Sequence, residues 1–185
     1  MPDSITSSAE RTSKRVLIAC IGNIFLGDDG FGVEVAQRLL SRQGKQFPEG
    51  TQVTDFGIRG MDLAYTLLDD YDTLVLVDAV PRGGQPGTLY LIEPDLTNMT
   101  PEKGGEAGRI ALDSHSMDPV KVLAYARTLG AQPIRTLLVG CEPASLGGDD
   151  PMDMQMGLSE PVQAAVDEAI KMIDALVEEL FSTNM

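Results

Sequence analysis

From Arg15 onward, short apolar runs alternate with amphipathic segments along almost the whole chain. That alternation is the signature of strands separated by helices, and it predicts an α/β domain built on a largely parallel sheet. The run VLIAC, residues 16–20, reads as a buried strand, and GNIFLGDDG, residues 22–30, as the loop after it. A helix follows to about Ser41, with Phe31, Val35, Leu39 and Leu40 on one face and Gly44 as its stop. Residues 51–56 form a shorter strand and residues 61–68 a helix. The strongest strand is TLVLVDAV, residues 73–80, almost wholly apolar and β-branched up to one acid, Asp78, at its carboxyl end. The link PRGGQPG is too short and too rich in Gly and Pro to hold a crossover helix. Residues 88–92 should therefore pair antiparallel at the sheet edge.

The second half continues the pattern. Residues 94–114 have no clear period and read as a long loop with His115 at its far end. Asp118 and Pro119 supply the cap and first-turn proline of a helix over 119–128, ended by Gly130. IRTLLVGC, residues 134–141, is a fifth strand, and the turn-rich residues 142–157 are expected to form an exposed flap. A last helix runs over 159–180, with Ser159 as cap and Val162, Val166, Ile170, Ile173, Val177 and Leu180 as its buried stripe. The expected organisation is a disordered polar lead-in over 1–14 and a single α/β domain over 15–182, one strand of the sheet being antiparallel.

Composition narrows the function. Twenty-eight acidic against 14 basic residues give a net charge of -14, which repels polyphosphate backbones and argues against a nucleic-acid partner. No apolar stretch approaches the roughly 20 residues of a membrane span, and residues 1–14 lack the apolar centre of a secretory signal, so no membrane insertion and a cytoplasmic location are expected. Cys20 and Cys141 lie in apolar runs and imply no disulfide.

In open α/β sheets, ligands bind in a crevice at the carboxyl ends of the parallel strands. Asp29, after the first strand, and Asp78, closing the third, can meet at that rim. Each also has a structural reading: Asp28 or Asp29 as the cap of the helix near Gly30, and Asp78 as acceptor for amides of the PRGG turn. His115 is the only histidine, so any imidazole chemistry passes through it. Two carboxylates and an imidazole with open positions suit a divalent transition metal, without separating nickel from zinc, iron or manganese. The glycine loop lacks both the dinucleotide spacing and a Walker lysine, and no G-x-S-x-G elbow is present. Met152, Met154 and Met156 are read either as an adaptable contact surface or as incidental residues of a flap.

The phrases GNIFLGDDGFG, DFGIRGMDL, LVLVDAV with PGTLYLIEP after it, SHSMDP, LLVGCEPASL and GLSEPVQAAVDEAI, in this order, resemble the nickel-iron hydrogenase maturation endopeptidases. The resemblance runs from about Val16 to Leu180 and implies a twisted five-stranded sheet with helices on both faces. It implies an activity too: removal of the C-terminal extension of a hydrogenase large-subunit precursor after nickel insertion. The metal-contacting residues it implies are Asp29, Asp78 and His115, and its D-x-G turn falls on Asp55 and Gly57, which adds Asp55 to Asp29 and Asp78 as catalytic candidates. Nickel would arrive in the precursor rather than reside in the enzyme, which is expected to act as a monomer. Two mechanisms follow. Precursor nickel polarises the scissile carbonyl or activates water while Asp29 or Asp55 accepts the proton, or nickel only docks the substrate and the carboxylates perform an aspartyl-type hydrolysis. Two rivals stand beside this reading: a metallohydrolase of a small molecule holding its own metal, and a nickel-sensing chaperone that does not cut. Residues 147–156 look longer than in most relatives, and DFGIRG stands where many have two successive glycines; both bear on substrate fit.

Overall fold

A computed structural model describes residues 13–96, 118–147 and 155–183. Strand β1 (Val16–Ile21) is buried along its whole length. A 3-10 turn (Gly27–Gly30) leads into α1 (Phe31–Ser41), followed by β2 (Thr51–Gly57), α2 (Gly60–Thr66), β3 (Thr73–Ala79) and β4 (Leu89–Ile92). Helix α3 (Pro119–Thr128), strand β5 (Arg135–Cys141) and helix α4 (Glu160–Ser182) complete the described chain. The boundaries fall within a few residues of those expected from the sequence. Asp118 caps α3 as expected, its carboxylate accepting from Val120 N at 3.0 Å.

The five strands form one sheet in the order β2-β1-β3-β5-β4. All neighbours are parallel except β4, which runs antiparallel to β5 at the edge. The twofold alternation of the strands divides the core. Val16, Ile18 and Cys20 of β1 face α1 and α4 in one cluster, while Leu17, Ala19 and Ile21 face α2 and α3 in the other. The chain leaves β1 for β2 on one side and returns to β3 on the other, so the strand order reverses at β1. In open parallel sheets this switch point, at the carboxyl ends of β1 and β3, is where ligands bind.

Two local features lie at that end of the sheet. At Gly32, near the start of α1, a Cβ would stand 2.2 Å from the Ile21 carbonyl oxygen and 2.4 Å from that of Val77, so only glycine lets the helix seat this low on the sheet. At the end of β2 the register with β1 jumps from Cys20↔Asp55 to Ile21↔Gly57. Phe56 is the extra residue of this bulge and is buried against the α2 side, while Gly57 takes a φ of +54°.

The segment expected to be an exposed flap is largely exposed where it is described, and its described ends are held by backbone bonds. Gln155 forms a parallel bridge with Leu26, and Asp28 N–H donates to the Ser145 carbonyl at 3.3 Å. Residues 97–117 and 148–154, with His115, Met152 and Met154, lie outside the described residues, as do 1–12 of the expected lead-in. No helix of the described residues is long and apolar enough to cross a membrane.

Candidate active site

Asp28 and Asp29 are consecutive in sequence, yet the 3-10 turn sends their side chains to different tasks. Neither caps α1, whose N-cap is Gly30 with no side-chain bond, so the capping role expected for one of them is not realised. Asp28 is 2% exposed and serves as a clamp. Its Oδ1 accepts from Ser159 N at 2.6 Å, and its Oδ2 from Ala144 N at 2.7 Å, Ser145 N at 3.3 Å and Ser159 Oγ at 2.9 Å. Ser159 stands at the N-cap of α4 as expected, but its hydroxyl serves Asp28 rather than its own helix.

Asp29 takes no part in that clamp; its Oδ2 accepts one bond, from Asn23 N at 2.8 Å. Burial raises its pKa above the ordinary aspartate value, and the Asn23 amide only partly offsets this. Asp78 ends β3 across the crevice and accepts from Ala79 N at 2.8 Å. Burial pushes its pKa well above the usual range, and the charge of Asp29 pushes it further, as does that of Asp118 at the start of α3. Asp29 and Asp78 are therefore near enough to repel, and among the described residues neither forms a salt bridge. Two such carboxylates are accommodated by sharing a proton, with one of them neutral, or by a cation between them.

The alternative reading of Asp78, as acceptor for amides of the PRGG turn, is not realised. Glu142, just after β5, takes that role: its carboxylate accepts from Arg82 N, Gly83 N and Tyr90 Oη at 2.7–3.0 Å. Burial opposes its ionisation, but bonds from Tyr90 and the Arg82, Gly83 and Gly84 amides outweigh it and hold its pKa below the ordinary value. Asp78 is thereby left free of the turn. Nothing in the sequence around Glu142 announced this, because the partners lie 52 to 60 residues away.

Asp55 ends β2, on the far side of β1 from Asp78, at the bulge. Its Oδ1 is buried with no hydrogen-bond partner among the described residues. Arg59 fastens the turn, its guanidinium donating to the carbonyls of Asp55 and Phe56. Asp55 acts electrostatically on Cys20, its register partner on β1. Burial, then the Asp55 charge, raise the Cys20 thiol far above its ordinary value. Burial also lifts Cys141 to about 12, helped by Asp28 and Glu142. Neither cysteine can supply a thiolate near neutral pH, which disfavours a cysteine nucleophile; the two are unpaired, as expected.

Comparison with known proteins agrees with this architecture. The family model described as hydrogenase maturation protease matches residues 33–175. The chain belongs to the hydrogenase maturation protease family. A curated relative of this protease, the hydrogenase expression/formation protein HupM of Azotobacter chroococcum, is 36% identical over 168 residues, covering 91% of this chain and 74% of the relative. The hydrogenase maturating endopeptidase HybD from E. coli superposes with a TM-score of 0.64 at 26% identity, covering 89% and 93% of the two chains. A hydrogenase 2 maturation peptidase from a Thaumarchaeota archaeon is 30% identical with a TM-score of 0.57, covering 86% of this protease and 95% of that chain. The five-stranded mixed sheet expected from the sequence is the fold of these endopeptidases, and the protein is a peptidase.

Proposed function

We propose that this protease removes the C-terminal extension of a nickel-iron hydrogenase large-subunit precursor, and that it recognises nickel already bound in that precursor. The observation that carries the reading is the Asp29–Asp78 pair: two largely buried like charges at one rim, with no cation of the described residues beside them. A divalent ion delivered by the substrate would relieve their repulsion, and hard carboxylate oxygens are suitable donors to it. His115 is the third proposed ligand; it precedes Asp118, whose charge reaches Asp78, by three residues in the sequence.

Asp29 and Asp78 then place the scissile bond by holding the substrate's metal. Asp55, with one buried oxygen lacking a donor, is the proposed proton acceptor for the attacking water. The buried, high-pKa thiols support hydrolysis by water rather than by a covalent thioester. Because the metal belongs to the substrate, the enzyme works as a checkpoint: precursor without nickel presents nothing for the pair to hold.

The decisive experiment incubates purified protein, dialysed against a chelator, with nickel-loaded or nickel-free precursor and follows precursor mass. Shortening of the nickel-loaded form alone is expected. An unchanged mass for the loaded form would favour the chaperone reading, and tightly retained stoichiometric metal in the dialysed protein would favour the small-molecule metallohydrolase.

A further inference from the structure

Strand β2 is the sheet edge opposite β4, and among the described residues it pairs with β1 alone. Val16 faces Thr51 in the register, and its N–H donates to the Gly50 carbonyl at 2.9 Å. Bonds along a parallel ladder fall on alternate residues, so Gly50, Gln52 and Thr54 serve β1, while Thr51, Val53 and Asp55 turn their backbone groups outward. This outward row is closed at both ends. Thr51 N–H donates to the Pro48 carbonyl at 3.1 Å, and the Arg59 guanidinium donates to the Asp55 carbonyl. Between these stops lie the Thr51 carbonyl, the N–H and carbonyl of Val53 and the Asp55 N–H, which no other strand of the described residues meets.

Edge strands are usually blunted by lysine, proline or a covering side chain, because open backbone groups recruit another strand. Residues 51–55, TQVTD, hold no lysine or proline, and their Thr and Val favour extended pairing. The long side chain among them is drawn onto its neighbours: Gln52 Nε2 donates to Thr54 Oγ1 at 3.2 Å, and Gln52 Oε1 accepts from Tyr71 Oη at 2.7 Å. The β4 edge differs, being 4 residues long and followed by Glu93 and Pro94. We propose that the open edge of β2, from Thr51 to Asp55, is a main-chain docking site, where an extended segment of the precursor adds to the sheet as a further strand and is led to Asp55.

This rests on the protease reading above. The chemistry of the edge selects the class of occupant, since alternating N–H and C=O groups at strand spacing are matched by extended polypeptide. Its position selects the precursor. The open row ends on Asp55, whose Oδ1 is buried without a donor among the described residues, and a strand added about 4.8 Å from β2 runs beside that residue. Backbone pairing then holds the chain extended, and the metal sets which bond is presented.

Two measurements on the full-length protein test this. In the first, backbone amide hydrogen exchange of the wild type is pulse-labelled within seconds of mixing with nickel-loaded precursor and read at single residues by mass spectrometry. Exchange at Val53 and Asp55 should slow at least roughly tenfold, because both amides gain an acceptor. The second compares cleavage kinetics and equilibrium binding of that precursor by the wild type, Val53→Pro and Leu91→Pro. Proline at Val53 removes an outward N–H and spares the ladder to β1, as proline on a sheet edge can. Leu91 is the matched control at the other edge: the bond from Glu142 N–H to the Thr88 carbonyl assigns Thr88, Tyr90 and Ile92 to β5 and turns Leu91 outward. Val53→Pro should raise Kd and KM together by roughly tenfold, and Leu91→Pro neither. Cleavage by the wild type with unchanged exchange at Val53 and Asp55 overturns the docking edge and leaves the protease reading intact, as does a wild-type KM in Val53→Pro. Slowed exchange at both amides with the loaded precursor left uncut overturns the protease reading and keeps the docking edge. Slowing that appears without precursor and grows with protein concentration assigns the edge to a second copy and overturns the proposal. Should Val53→Pro not fold, the exchange of the wild type decides alone.

Discussion

Replacing Asp28 by asparagine keeps the size of the side chain but turns one of its two acceptor oxygens into a donor. All four groups that reach this carboxylate donate to it, one on Oδ1 and three on Oδ2. The least harmful placement puts the new NH2 at the Oδ1 position, where it meets the Ser159 N–H that now donates at 2.6 Å. One buried donor is then left unpaired, at about 1–3 kcal/mol, and the three remaining bonds lose their charge assistance at some tenths of a kcal/mol each. Because Asp28 is 2% exposed, solvent does little to soften the loss, and the sum is about 3 kcal/mol. For a domain of this size, that corresponds to a fall of roughly 6–12 °C in Tm. Guanidinium unfolding followed by far-UV circular dichroism measures it. Asp29→Asn is the matched contrast: its single bond from Asn23 N survives in the amide, and a carboxylate already opposed by burial is removed. That variant should unfold within about 1 kcal/mol of wild type. Equal stability of the two variants, or an Asp28→Asn loss below about 0.5 kcal/mol, would refute the division of labour between these neighbours.

Three further outcomes are expected. The folded-state pKa of Asp78 is raised, so the folded protein holds a proton there more tightly than the unfolded chain; the stability this contributes is full below the ordinary carboxylate pKa and is lost as pH rises through the raised value. Asp78→Asn should therefore flatten the decline of stability with rising pH in metal-free protein, and an unchanged pH profile by denaturant titration would remove burial and Asp29 as its cause. Gly32→Ala should cost roughly 3 kcal/mol by overpacking, because the added methyl meets backbone oxygens of Ile21 and Val77 that cannot swing aside; a thermal midpoint equal to wild type would show that α1 shifts freely. His115→Ala should abolish precursor processing while changing stability by less than about 0.5 kcal/mol. Retained cleavage, read by mass spectrometry, would exclude His115 from the site.

Much of the fold was legible because period and punctuation are local. The nearly unbroken apolar runs at residues 16–20 and 73–80 marked the central strands, and the Gly/Pro link 81–87 forced β4 to run antiparallel. The candidate site was legible in part. Asp29 and Asp78 were singled out by their place after buried strands, a rule of parallel sheets that needs no coordinates. The roles of Asp28, Glu142 and the end of the 142–157 segment were not, since each depends on partners far away in sequence.

The sequence by itself therefore determined the α/β class, the strands and helices, and the placing of Asp29 and Asp78 at the carboxyl ends of β1 and β3, because side-chain periodicity and strand ends are properties of neighbouring residues. Tertiary structure alone decided which of two adjacent aspartates becomes a clamp and which an open site. A carboxylate's task is set by the donors around it, and for Asp28 these are Ala144 and Ser145, just after β5, and Ser159, at the start of α4, which lie more than 110 residues away in sequence and meet it only in the folded chain.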